Sequence, residues 1–516
     1  MKKKKKKYNF HPLTVILFSI LGISFLSLVL SLLKVNSGYS VVDNLVLALK
    51  VVPVKVKNVF SFEGLRFLLS KSINNFLAFK PFVTLIITLI GIAVSNATGY
   101  LDAVSERVSK YLNNWWITFF TIFLGTISSL VGEIGYAILI PLSAIIFLKQ
   151  KRNPLLGIIA AFVGVSFGYG TSVFAGVMEM NLIPITQEAT YLVDQTAHIA
   201  LLSNLFIGIV TSVVISIVGT FVIENIISNK LGKYNFNKEE KKEIDSSEEI
   251  NKELVKRGLR YANITIFVLL IIYIYAIIPG LPLSGLLLDQ TQTTYVLKLF
   301  GPKAYFENSF TLLVMFILTL GGISYAFGAE TIKNDKDLYD KVALNLNDLG
   351  YILLLTFSFS QLVSVFEQTQ IDLVLTASLA NMMNALNFQG IPLIIMSMII
   401  ISLSGLILPS TIIKWKIFSP IMIPTFIKAS ISPQFGQFIF RAADSMTKGF
   451  SIFAGGFIIY VIYLNIYNTE EHPVTFKKAL DFILPYAGII IITWISLILF
   501  WYILGLPVGP FVNAIL

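Results

Sequence analysis

The chain has 516 residues, of which 55% are hydrophobic and 13% charged, and it carries a formal charge of +10. This is too apolar for a soluble fold of that length. With no cysteine it has no disulfide, thiolate metal site or thiol chemistry. The positive charge falls in segments flanking apolar runs, where lysine meets lipid headgroups and sets topology, which argues against a nucleic-acid partner.

Six lysines, Lys2 to Lys7, open the chain. Residues 1–11 read as a basic N-terminus held on the cytoplasmic side of the cell (plasma) membrane by the positive-inside rule. Apolar runs follow at 12–33, 81–95, 115–148, 154–175, 198–227, 262–283, 309–329, 350–366, 391–413, 445–467 and 482–506. Each approaches or exceeds the roughly 20 residues that cross the hydrocarbon as a helix. Between the first two runs, residues 35–80 interleave Lys50, Lys55, Lys57, Arg66, Lys71 and Lys80 with Val, Phe and Leu. That pattern predicts helices lying at the interface. A charged segment at 229–260, opening with the run Lys238 to Glu243, predicts a cytoplasmic linker. It separates a first membrane half, 12–228, from a second, 261–516.

The halves repeat. At a gapless offset of 279 residues Tyr136 meets Trp415, Pro141 meets Pro420, Ser166 meets Ser445, Gly170 meets Gly449, and the run 172–176 meets 451–455. Interrupted hydrophobic segments in equivalent places of two halves are the mark of a transporter repeat with its site where the halves meet. Within each repeat, 115–148 is broken at Ser128-Ser129-Leu130-Val131-Gly132-Glu133 and 391–413 ends at Pro409-Ser410-Thr411. Both read as re-entrant hairpins followed by a broken helix, whose unpaired backbone must be covered by protein or line a wet cavity. The expected fold class is an all-α polytopic membrane protein with about nine transmembrane helices, two re-entrant helical hairpins and a two-fold internal, inverted repeat.

Charges inside such segments cost about 2.5–3.5 kcal/mol on insertion scales and persist for function or pairing. Glu179, Arg441 and Asp444 stand out. Arg441 and Asp444 are three apart, so on a helix they share a face and can pair. They either bind a substrate carboxylate and titrate, or seal helix packing. Glu179 is a candidate proton carrier or a surface residue before Pro184. Glu133 is a hairpin-tip ligand or a half-helix cap. Trp415 stacks on an aromatic ligand or anchors at the interface. Ser410, Thr411, Ser172 and Asn96 are substrate or ion contacts, or interhelical hydrogen bonds. The three histidines, His11, His198 and His472, have no metal-ligand spacing, so no metal site is expected.

Several segments carry a resemblance along nearly the whole length. They include Phe62-Glu63-Gly64-Leu65, Gly135-Tyr136, Ile140-Pro141-Leu142-Ser143-Ala144, Lys414-Trp415, Phe440-Arg441 with Asp444-Ser445, and Leu504-Gly505-Leu506-Pro507-Val508-Gly509-Pro510. Together and in order they resemble the p-aminobenzoyl-glutamate transporter (AbgT) family. The resemblance implies a homodimer of bowl-like subunits that moves p-aminobenzoyl-glutamate or expels sulfonamides. It also implies an ion gradient, of protons or Na⁺, and no other cofactor. By motif position it carries site roles onto Trp415, Pro433, Arg441 and Asp444, and places a family aspartate at Glu179. Three departures accompany it: Ile412 replaces a hairpin-tip serine, Gly170-Thr171-Ser172 stands for Ser-Ala-Asn, and Asn96 replaces a glutamate. They leave the cargo open between aromatic carboxylates and other small carboxylates or amino-acid-like anions. A non-transporting membrane scaffold is the reading of another class.

Overall fold

A computed structural model describes residues 10–43, 48–236, 252–384 and 388–516. The lysine run Lys2 to Lys7 and the charged run 238–243 lie outside the described residues. The first helix, α1 (Pro12–Leu32), starts where His11 Nδ1 accepts the Leu13 N–H and Pro12 fills the first turn, whose N–H groups have no helical partner anyway.

The interfacial helices expected over 35–80 are replaced in its first part by a β-hairpin. Strands β1 (Asn36–Asp43) and β2 (Ala48–Lys55) pair antiparallel, with Asn36 opposite Lys55 and Asp43 opposite Ala48. The physical reason is the cluster Val51-Val52-Pro53-Val54. Branched side chains pack well on a pleated surface, and proline is tolerated on a strand at an edge. A helix over this segment would have held Pro53 in its interior. From Phe62 the range is mainly helical. Helix α2 (Phe62–Leu77), capped by Ser61, leads into α3 (Lys80–Ala97) as one long apolar stretch interrupted near Pro81.

After α4 (Tyr100–Tyr111) comes the first hairpin. Its arms are α5 (Asn114–Ile127) and α6 (Ile134–Lys149), joined by a 3₁₀ turn over Ser128–Val131 and by Gly132, whose φ of +79° suits glycine. A broken helix follows as α7 (Pro154–Phe167) and α8 (Val177–Tyr191). Helix α9 (Leu205–Val222) continues through a π turn at Ile223–Ile227 to Leu231. The linker expected up to residue 260 is already helical from Lys252, because α10 (Lys252–Ile277) extends its polar first turns beyond its apolar body.

The second half contains α11 (Tyr295–Phe300), α12 (Phe306–Ala329), α13 (Asp335–Leu344), α14 (Leu349–Thr369) and α15 (Ile371–Met383). The second hairpin has arms α16 (Gly390–Gly405) and α17 (Thr411–Lys428). Its broken helix is α18 (Pro433–Lys448) and α19 (Gly455–Ile466), and α20 (Phe476–Leu504) follows. Among the described residues eight helical stretches are long and apolar enough to cross a membrane, and one of these is a hairpin arm. The other seven with the two broken helices give nine candidate crossings beside two hairpins, in line with the expected fold class.

The 279-residue offset is visible in the element boundaries. Pro154 and Pro433, which share that spacing, each occupy the first turn of the helix they open. Asn153 and Ser432 cap those helices through their side chains. The halves also exchange contacts, since α8 packs on α17 of the other half while α19 packs on α6. Strands β3 (Pro507–Gly509) and β4 (Val512–Asn513) then bring the chain end onto the start of α18, where Ser432 donates its N–H to Ala514 and its hydroxyl to Asn513.

Candidate substrate site

Helix α18 is buried on every side, yet it carries Gln437, Arg441, Asp444 and Lys448. Their spacing of four, three and four residues places them in one stripe down the helix. The stripe faces charges from both hairpins and from the other broken helix, and the result is three separate ion pairs.

Arg441 donates from Nη1 to Glu179 Oε1 at 2.7 Å and from Nη2 to the Thr171 carbonyl at 3.2 Å. Asp444 pairs with Lys414 on α17 and accepts a hydrogen bond from Thr411 Oγ1 at 2.5 Å. Lys448 lies 3.1 Å from Glu133 at the first hairpin tip and 4.0 Å from the centre of the Tyr169 ring. Three cations meet three carboxylates, so the set is neutral. Arg441, Asp444, Lys414, Lys448 and Glu179 are buried, and Glu133 keeps 43% of its side chain exposed.

Helix ends help to hold these charges. Glu179 sits in the first turn of α8, where its Oε2 accepts the Gly176 N–H at 2.9 Å. Lys448 ends α18, where carbonyl groups point outward. Carboxylates at helix N-termini and cations at C-termini complement the backbone dipole.

The geometry corrects several expectations. Arg441 and Asp444 share a helix face but do not pair, because Glu179 and Lys414 from elements packed against α18 reach each of them first. Glu179 is not a surface residue: 5% of it is exposed. Trp415 is no interfacial anchor either. It is buried, its Nε1 donates to Thr186 Oγ1 at 3.0 Å, and Phe440 lies 4.5 Å from its ring. Thr411 joins the site through Asp444, whereas Ser410 serves as the N-cap of α17, accepting the Ile413 N–H. The substituted tip position, Ile412, is exposed. Pro433 opens α18 about 12 Å along the axis from Arg441. Ser172 and Glu179 line a cavity of about 10 Å³.

Asn96 is not part of this assembly. It donates to the Asn345 side chain and lines a separate cavity of about 410 Å³ with Asn347, Asp348 and Lys149. Helix α3 packs on α12 and the first hairpin arm α6, which keeps Asn96 away from α18. The site also includes residues the sequence reading did not assign. Lys414 appeared only as part of a motif, and Thr186, Gln437 and Asn204 gave no signal beyond being polar.

A family model described as the AbgT putative transporter family matches residues 7–516. The chain belongs to the AbgT putative transporter family. That is a family of transporters, not of enzymes. The p-aminobenzoyl-glutamate transport protein of Escherichia coli (strain K12) is 25% identical over 459 residues, which is 89% of this chain and 87% of that one. Two solved AbgT-type structures are also similar. The YdaH transporter of Alcanivorax borkumensis is 22% identical, with a TM-score of 0.47, over 97% of this chain and 100% of its own. MtrF of Neisseria gonorrhoeae, described among antimetabolite efflux pumps, is 26% identical with a TM-score of 0.47, over 98% of this chain and 97% of its own.

Proposed function

We propose that this AbgT-family protein is an ion-gradient-coupled secondary transporter of p-aminobenzoyl-glutamate or a related aromatic carboxylate. The observation that supports it is the neutral set of ion pairs on α18, drawn from both halves of the repeat. Because Arg441 is already paired with Glu179, a substrate carboxylate takes its guanidinium by displacing that partner, and a planar fork suits the exchange. The released Glu179 carboxylate then takes a proton or Na⁺, which ties cargo to ion. Lys414, Asp444, Thr411 and Lys448 make a second exchangeable set, with Glu133 at its open end. A cavity of about 10 Å³ beside Glu179 is far smaller than such a cargo, so loading requires the broken helices and hairpins to part, one repeat-built unit rocking against the rest. The name of the Escherichia coli relative supports the cargo. A homodimer in the cell membrane with a cytoplasmic N-terminus belongs to the same reading.

Equilibrium binding of labelled p-aminobenzoyl-glutamate to purified protein tests it. Arg441→Lys keeps the charge and loses the fork, and affinity should fall roughly 10- to 100-fold, as expected for one strong charge-assisted bond. Wild-type protein that binds small aliphatic dicarboxylates but not the aromatic ligand would favour the other-anion reading.

A further inference from the structure

A buried chain of hydrogen bonds runs from Trp415 towards Glu179, and its direction is fixed at one end. An indole offers one N–H and no acceptor. That N–H goes to Thr186 Oγ1, while the Thr186 hydroxyl gives its own proton to the Leu182 carbonyl at 2.9 Å. Thr186 can therefore only accept from its next neighbour. Gln437 answers by turning its amide nitrogen to Thr186, with Nε2 2.7 Å from Oγ1, and so turns its carbonyl oxygen away. Asn204 meets that oxygen with its own amide nitrogen at 3.0 Å.

The last group in the chain is then Asn204 Oδ1. It is buried and has no hydrogen-bond partner among the described residues. A buried acceptor in that condition is costly, which makes it informative. Asn204 lines the same small cavity as Glu179, Ser172 and Gln437. A second orphan belongs to the ion-pair partner of Glu179: Arg441 Nε, a donor, also has no partner among the described residues. Gln437 and Arg441 are one turn apart on one face, about 5–6 Å between their β-carbons. The obligatory acceptor and the guanidinium with a free donor are thus joined through the cavity by their neighbours, Gln437 bonded to Asn204 and Glu179 paired with Arg441.

We propose that Asn204 is a specificity-determining residue whose Oδ1 accepts an N–H lying next to the substrate carboxylate that Arg441 binds. The ligand class it selects is N-acylated amino acids, in which a secondary amide N–H and a carboxylate share one carbon. The proposal rests on the reading in which Arg441 takes the carboxylate, and it adds the group that distinguishes an amide from an ester. An ester oxygen in place of the N–H leaves Asn204 Oδ1 facing a second acceptor, and a site built around a buried polar partner rejects such analogues strongly.

The test compares p-aminobenzoyl-glutamate with its ester analogue, in which oxygen replaces the amide N–H. A second pair is N-acetylglutamate and O-acetyl-2-hydroxyglutarate. Binding is measured on purified full-length protein for wild type, Asn204→Leu and Asn204→Asp, each shown to be folded by monodisperse elution. Wild type should prefer the amide by roughly 10- to 100-fold. Asn204→Leu should lower that ratio to near one, and Asn204→Asp, which keeps an acceptor oxygen but loses the donor to Gln437 Oε1, should retain it at lower overall affinity. Equal binding of the aromatic amide and ester by wild type would overturn the proposal and leave the proposed cargo standing. If neither aromatic ligand binds, discrimination within the acetyl pair would sustain Asn204 and overturn the aromatic cargo. No discrimination in either pair, or an amide preference that survives in Asn204→Leu, would overturn the role of Asn204.

Discussion

Asp444→Asn removes the carboxylate that neutralises Lys414, and the structure sets the size of the loss. Both side chains are 1% exposed, and Asp444 is the ion-pair partner of Lys414. Lys448 has its own carboxylate in Glu133, so the variant strands one ammonium rather than two. An uncompensated buried charge of this kind costs about 3–5 kcal/mol, whereas replacing both members of a buried pair by apolar groups is often neutral or stabilising. Asp444→Asn and Lys414→Met should each destabilise by about 3–5 kcal/mol, while Lys414→Met with Asp444→Leu should return to near wild-type stability. The assay is denaturant unfolding of the detergent-solubilised protein, with the two singles and the double treated as a cycle. Transport should be absent from all three. A double variant as unstable as the sum of its singles, or singles as stable as wild type, would refute the pairing on which this reasoning rests.

Three further outcomes follow from particular contacts. Glu179→Gln should destabilise by about 3–5 kcal/mol, because Arg441 is left buried with only the Thr171 carbonyl and a neutral amide; unfolding in the same assay measures it. Gly170→Ala should cost about 1–3 kcal/mol through overpacking, since its methyl group would lie 2.5 Å from the Arg441 carbonyl oxygen, while Gly22→Ala, with open space around it, should be neutral or slightly stabilising. Outside the membrane segments, the Thr291 hydroxyl donates to Asp289, and this bond, with N–H groups of Thr291 and Lys303, holds its carboxyl below the usual range. A folded value below the unfolded one contributes order above the unfolded pKa and loses it as pH falls through the folded value. Hydrogen exchange at the Thr291 and Lys303 amides should therefore gain protection above about pH 4 and lose it below.

Much of this was legible in the chain, for reasons that also mark where legibility ends. Intramembrane charge is costly, so Glu179, Arg441 and Asp444 stood out against their apolar neighbours. The 279-residue offset was legible because Pro141 with Pro420, paired serines and glycines, and the run 172–176 recur in one register. The partners of those charges were not. Sequence spacing ranks neighbours on one helix, and it proposed Arg441 with Asp444. Once α8 and α17 pack against α18, Glu179 and Lys414 satisfy each of them from another element. Lys414 was hidden by its setting, since Lys416 lies two residues on and lysines near helix ends commonly reach for the interface. The β-hairpin at 36–55 was missed because lysines alternating with valines fit an amphipathic helix loosely and a half-exposed strand closely. Asn96 stood where the resemblance puts a glutamate, yet motif position says nothing of which helix face meets the site.

Flux into liposomes tests the central claim most directly. Labelled p-aminobenzoyl-glutamate is followed in vesicles containing the purified protein under an imposed pH gradient, then under a Na⁺ gradient. The account predicts gradient-dependent accumulation under one of them, abolished by Arg441→Ala with the protein still inserted. No gradient-dependent flux from folded wild-type protein, or flux that persists in Arg441→Ala, would contradict it.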